Sequence, residues 1–277
     1  MKRSAPGKPL ALAIAALLAL AALQSALALD VYIVAGQSNG YRLSSLGQGD
    51  PAKPDEHKVY YYGMQCVSEP EESEFTVLES LSKKRMGYGL ARSLRELSDS
   101  DIIFIQYCRC GSGVWDKSEK GWYPGDDPAN GKVHNGGLYG KFLKYLAHAK
   151  ASAEKDYGLT WNVKGLIWHQ GESDSNLPAS QYEATLPRLF WRFRHDIDPG
   201  LPIVAGHIRE LNDGRKAINR ALDKLAAKDP LFVVVPSNDL EFAADHEGKP
   251  NVHFALEGCE TLGRRMAAAL AKLIDSP

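Results

Sequence analysis

The sequence predicts one α/β domain, a parallel β-sheet covered by helices on both faces. Two observations predict it. Short apolar runs rich in β-branched residues alternate along the chain with longer amphipathic segments, the order that βαβ units require. No internal repeat and no Ser/Pro-rich linker interrupts that alternation, so the elements belong to one unit.

Val31-Tyr32-Ile33-Val34-Ala35 is a buried strand that stops at Gly36. Val59-Tyr60-Tyr61-Tyr62 is a second, weaker strand. From Gly87 to Leu97 the spacing of Leu90, Leu94 and Leu97 predicts a helix with one apolar face. Asp101 to Ile105 is another buried strand, running into the turn-rich Cys110-Gly111-Ser112-Gly113. Residues 116–137 hold Gly121, Pro124, Gly125, Pro128, Gly131 and Gly137, which predicts a long surface loop, and such loops often carry function. A helix follows from Leu138 to about Glu154, then a strand over Val163 to Trp168 and a helix from Ala179 to about Ile197. Pro202 to Gly206 is a strand, Gly214 to about Lys228 a helix, and Leu231 to Val235 the last strand. Leu256 to Ile274 closes the chain as an amphipathic helix.

Ahead of this domain, Lys2, Arg3 and Lys8 flank an apolar stretch from Pro9 to Leu23. It ends in Ala26-Leu27-Ala28, a small-x-small cleavage pattern. The expectation is a signal peptide over 1–28, a domain over 29–277, and a secreted or periplasmic product. The chain carries 33 Lys+Arg against 34 Asp+Glu and becomes more acidic once the three leader cations are gone. That balance argues against nucleic acid as a partner. No other apolar run approaches the roughly 18 residues of a membrane span, so none is expected in the mature chain.

Cys66, Cys108, Cys110 and Cys259 all survive that cleavage. An even count in an oxidising compartment predicts two disulfides, with the pairing left open. A bond between Cys108 and Cys110 would close a strained ring, so each is expected to take a distant partner. Cys-x-Cys is also half a metal site, but no second closely spaced Cys or His pair completes it, and no cofactor is expected.

In a parallel sheet, ligands lie at the carboxyl ends of the strands. After the first strand come Gln37-Ser38-Asn39, and after the third Gly111-Ser112-Gly113. After the fourth come His169-Gln170-Gly171-Glu172-Ser173-Asp174, and after the last Asp239 and then His253. A hydroxyl, glycine amides, a carboxamide, carboxylates and an imidazole thus share one rim. Those are the parts acyl transfer needs: nucleophile, base, orienting acid and oxyanion donors. Each has a bland reading too. Ser38 can be a turn serine, His253 a half-buried residue beside Phe254, His169 a core residue, and Glu172 and Asp174 helix caps. All of the bland readings at once are less plausible, because the groups share an edge.

Val-Ala-Gly-Gln-Ser-Asn at 34–39, Trp-His-Gln-Gly-Glu-Ser-Asp at 168–174 and Asn-Val-His-Phe at 251–254 resemble the SGNH hydrolases. The likeness is to the branch of sialate O-acetylesterases and family 6 carbohydrate esterases, the acetyl xylan esterases. The resemblance implies a flavodoxin-like three-layer α/β/α sandwich and metal-free removal of acetyl groups from an O-acetylated oligo- or polysaccharide. By that match Ser38 is the nucleophile, His253 the general base and Gly111 an oxyanion glycine, with the Ser38 amide as a second donor. Gln170 is the nearest carboxamide to the family's third donor. There is one departure: the position three before His253, usually Asp in the wider family, is Pro250. Glu172 is then the first choice for the acid, with Asp245 and Asp239 in reserve.

Trp115 and Trp122 in the long loop offer aromatic faces for a sugar, or else pin the loop to the body. Two other readings compete. A lipase or thioesterase would want a wide apolar groove that this polar loop does not supply. A non-catalytic carbohydrate-binding protein could keep the fold while Pro250 marks a decayed triad.

Overall fold

The computed structural model describes residues 28–45, 59–63, 76–77, 88–98, 101–248 and 250–275. Residues 1–27 of the signal peptide expected over 1–28, and Cys66, lie outside the described residues. Seven strands form one sheet. They are β1 (Ala28–Gly36), β2 (Val59–Gly63), β3 (Thr76–Val77), β4 (Ile102–Cys108), β7 (Thr160–His169), β8 (Ile203–Gly206) and β9 (Phe232–Val235). Across the sheet they stand in the order β3-β2-β4-β1-β7-β8-β9. All neighbours pair parallel except β3, which runs antiparallel to β2 at the edge.

The central strands are apolar on both faces, and the pleat divides them between two cores. Val31, Ile33, Ala35, Leu166 and Trp168 face one helical layer of α3 (Gly137–Tyr157), α4 (Ala179–Asp196) and α5 (Asp213–Ala226). Tyr32, Val34, Phe104 and Ile167 face the other, made by α1 (Ser38–Ser45), α2 (Tyr88–Arg95) and α6 (Leu256–Ile274). This is the three-layer α/β/α sandwich. The six strands read from the sequence are all present.

Three local features differ from the sequence reading. Ser38 lies in no loose turn: it opens α1, whose first hydrogen bond runs from the Tyr41 N–H to the Gln37 carbonyl. The 116–137 stretch is partly ordered by a small antiparallel ribbon, β5 (Gly125–Asp127) with β6 (Lys132–Val133). His253 lies in a second ribbon outside the main sheet, where β10 (Phe242–Ala244) pairs with β11 (Pro250–Phe254).

The expectation of two disulfides fails. Cys110 is disulfide-bonded, while Cys108 and Cys259 are buried free thiols. The pleat explains it. Cys108, the last residue of β4, points into the α1 layer, where its sulfur packs against Gly40. Burial pushes both thiols up, Cys259 to about 12, so they stay protonated. Among the described residues no helix is long and apolar enough to cross a membrane.

Candidate active site

From β1 the chain builds one half of the sheet through β2, β3 and β4, and the other through β7, β8 and β9. β1 is therefore the switch point, where the flanking loops diverge and leave a crevice. Gly36 at its end is level with Cys108 on β4 and His169 on β7. Ser38, the Gly111 loop and the Gln170–Asp174 segment consequently leave the sheet at one height. Gly36 has to be glycine: its φ is +136°, and a Cβ there would lie 2.1 Å from the His169 carbonyl oxygen. That close approach turns the chain sharply into α1.

Ser38 is half-buried at the first position of α1, so its N–H has no intrahelical acceptor. The Ser38 hydroxyl lies 3.1 Å from His253 Nε2, across 215 residues of chain. Burial holds the His253 imidazole below its ordinary pKa and Arg42 adds to this, while the Glu172 charge acts in the opposite sense. Gly111 is exposed with φ +72°, and a Cβ there would meet nothing within 4 Å, so its backbone borders open space.

Behind this pair lies a buried polar network. Asp174, 2% exposed, accepts from the N–H of Val114 at 2.9 Å and of Trp115 at 3.3 Å, and from Gln170 Nε2 at 2.6 Å. It thereby fixes the segment that follows Gly111. Desolvation raises its pKa, and those three hydrogen bonds oppose the shift. Gln170 Nε2 also approaches the Ser112 carbonyl at 3.0 Å and Gln37 Oε1 at 3.3 Å. Both amide hydrogens are spent within the protein, so Gln170 ties loops together and has none left for a ligand.

Glu172 is 7% exposed and accepts from Asn39 Nδ2 at 2.6 Å; its second oxygen is buried and meets no hydrogen-bond partner among the described residues. It makes no hydrogen bond to the imidazole, and among the described residues no other carboxylate does. Asp239 is held by Arg265 through both oxygens, and Asp245 accepts from the Glu247 N–H in an exposed turn. His169 is fully buried, edge-on to Phe254, and burial keeps it neutral.

The two tryptophans separate. Trp122 is 0% exposed, enclosed by Tyr107, Phe142, Trp168 and Phe193. Its Nε1 donates to the Gly36 carbonyl at 3.2 Å and to Ser112 Oγ at 3.1 Å. Trp122 is a core residue with no face for a sugar, which corrects the sequence expectation. Trp115 is half-buried, set edge-on to Tyr123 with the Lys117 ammonium 5.6 Å from its ring centre.

Sequence reasoning missed Asn39, Arg42 and Gln37. The signal for Asn39 and Gln37 was present, since two carboxamides flanking a candidate nucleophile are more than a turn requires.

A family model described as carbohydrate esterase, sialic acid-specific acetylesterase, matches residues 28–272. The chain belongs to this family. It is a carbohydrate acetylesterase by family, hence a carboxylic ester hydrolase. Comparison with curated proteins found no match. Among solved structures, this esterase resembles a carbohydrate acetylesterase from Xanthomonas citri at TM-score 0.63 and 18% identity, over 87% of this chain and 55% of that one. A protein of Arabidopsis thaliana gives TM-score 0.59 and 18% identity, over 88% of this chain and 98% of that one. NanS gives TM-score 0.58 and 15% identity, over 89% and 97% respectively. At such identities the structural likeness speaks to the fold, while the family match carries the activity class.

Proposed function

We propose that this esterase is exported and removes O-acetyl groups from carbohydrate hydroxyls through an acetyl-serine intermediate. The observation that carries the reading is the 3.1 Å contact between Ser38 Oγ and His253 Nε2 at the switch point of the sheet. His253 takes the hydroxyl proton as Ser38 attacks the acetyl carbonyl, giving a tetrahedral oxyanion. The intermediate collapses, and the imidazolium returns the proton to the departing sugar oxygen. Water, deprotonated by the same imidazole, then attacks the acetyl-serine and releases acetate.

The oxyanion is received by the Ser38 N–H, at the positive end of α1, and by the Gly111 N–H, on backbone bordering open space. The carboxamide best suited to join them is Gln37 rather than Gln170. Gln37 Oε1 is pinned by Gln170 Nε2 and by the Ser173 N–H, both at 3.3 Å. Its own amide nitrogen therefore points the other way and meets no acceptor among the described residues. Glu172 serves as the acid without touching the ring, its charge favouring the imidazolium formed during attack. Trp115, beside Lys117 and Tyr123, is the aromatic that meets the sugar.

Acetate release from a panel of O-acetylated glycans, by wild type and Ser38→Ala, tests the reading. Wild type should release acetate and the folded variant should fall to background. Turnover by the variant would remove Ser38 from its role.

A further inference from the structure

Among the described residues the imidazole of His253 has one side-chain hydrogen bond, to Ser38 Oγ, and Pro250 has no carboxylate to offer. β11 gives little support of its own. Among the described residues it pairs with the three-residue β10 alone, and the register shifts between Phe242 and Ala244, opposite the segment that holds His253. A general base left free to swing loses much of its rate advantage, so this segment has to be held from elsewhere.

The hold comes from beside the nucleophile. Asn39 is 0% exposed. Its Nδ2 donates to the Val252 carbonyl at 3.0 Å and to Glu172 Oε1 at 2.6 Å, and its Oδ1 accepts from the Phe254 N–H at 3.3 Å. Val252 and Phe254 are the residues on either side of His253. One carboxamide therefore grips the backbone on both flanks of the base while its own backbone continues from Ser38. Glu172 decides which way round that amide sits. A carboxylate can only accept, so the amide nitrogen must face it, and the oxygen is left for Phe254. Arg42, one helical turn on, adds donors from Nε and Nη2 to the Phe254 carbonyl at 3.0 and 2.8 Å.

We propose that Asn39, oriented by Glu172, is the positioning residue of this esterase: it fixes the His253 base through the backbone, where other triads use a carboxylate on the ring. The inference rests on the reading of Ser38 and His253 as nucleophile and base.

The test compares full-length wild type, Ser38→Ala, Asn39→Ala, Asn39→Asp, Glu172→Gln and the double variant Asn39→Asp/Glu172→Gln. Each is checked by thermal melting and assayed on p-nitrophenyl acetate and on an acetylated sugar. Asn39→Ala should lower kcat by about 10²-fold per folded molecule with KM nearly unchanged, the pattern of lost positioning. Asn39→Asp keeps the shape but sets two carboxylates against each other and should lose at least as much. Its acid limb should also move to higher pH, because a new anion lies near the imidazole. Glu172→Gln alone keeps the acceptor oxygen and should cost less. In the double variant the new amide at position 172 can donate to the new carboxylate at position 39, which still accepts from the Phe254 N–H. That pairing should recover about tenfold in kcat over Asn39→Asp, a coupling that independent sites would not show. Asn39 variants that melt lower yet keep wild-type kcat per folded molecule would overturn the inference and leave a merely structural residue. Losses that add with no recovery in the double variant would also overturn it. If Ser38→Ala stays active, the functional reading falls and this inference falls with it.

Discussion

Trp122 gives the sharpest test of where the core ends and the substrate site begins. Its indole is wholly buried among Tyr107, Phe142, Trp168 and Phe193, and its Nε1 bridges Gly36 and Ser112 beneath Ser38. Trp122→Ala removes that packing and opens a cavity, a change that costs about 3–5 kcal/mol in protein cores. Trp122→Phe keeps most of the ring and loses the N–H. The Gly36 carbonyl still accepts from the Arg109 N–H at 3.1 Å, and Ser112 Oγ still donates to the Arg109 carbonyl at 2.8 Å. Neither group is orphaned, so the Phe variant should cost only about 1–2 kcal/mol. For a domain of this size, about 2–4 °C of Tm per kcal/mol puts the Phe variant roughly 2–8 °C below wild type and the Ala variant roughly 6–20 °C below. Circular dichroism melts, with KM for an acetylated sugar measured on the folded fraction, make the assay. A wild-type Tm together with a large rise in KM would take Trp122 out of the core and restore it as a sugar platform.

If His253 is the base, it works in its neutral form, and because its pKa is depressed kcat/KM should rise with pH along a limb below the ordinary imidazole value of about 6.5. Arg42→Met removes a cation that depresses it and should move that limb to higher pH, while Glu172→Gln should move it lower; a limb that ignores both would contradict the electrostatics. Gln37→Glu keeps the acceptor oxygens for Gln170 and Ser173 but removes the free donor, so kcat should drop by about 10²–10³-fold in a folded protein, and an active variant would remove Gln37 from the oxyanion site. In unfolded, unreduced protein the thiols of Cys108 and Cys259 should both react with a thiol reagent, and labelling of neither would restore two disulfides.

Much of the fold was legible because burial on both faces leaves a plain signature, unbroken apolar strands such as Val31 to Ala35 between amphipathic helices. The rim was legible for the same reason: strand ends in a parallel sheet fall at one height, which brought Ser38, Gly111 and Glu172 together on paper. What did not show is set by side-chain direction. Nothing in the sequence says that Trp122 turns inward and Trp115 only halfway, since both sit in a segment of Gly and Asp. Gln170 looked like an oxyanion donor because it is the nearest carboxamide to the position of the family's third donor. Its neighbours Asp174 and the Ser112 carbonyl, which consume its hydrogens, come together only in three dimensions. Pro250 marked a missing acid, while the hydrogen bonds from Asn39 to both flanks of His253 end on main-chain groups of Val252 and Phe254, and main-chain groups carry no residue-type signal.

On the proposed mechanism Ser38 carries the acetyl group during turnover. Wild-type enzyme mixed with an O-acetylated sugar and quenched in acid within a turnover should yield one acetyl adduct, on the peptide containing Ser38. Ser38→Ala should yield none. Acetate release by the wild type with no adduct at any time point, or with an adduct on another residue, would contradict the account.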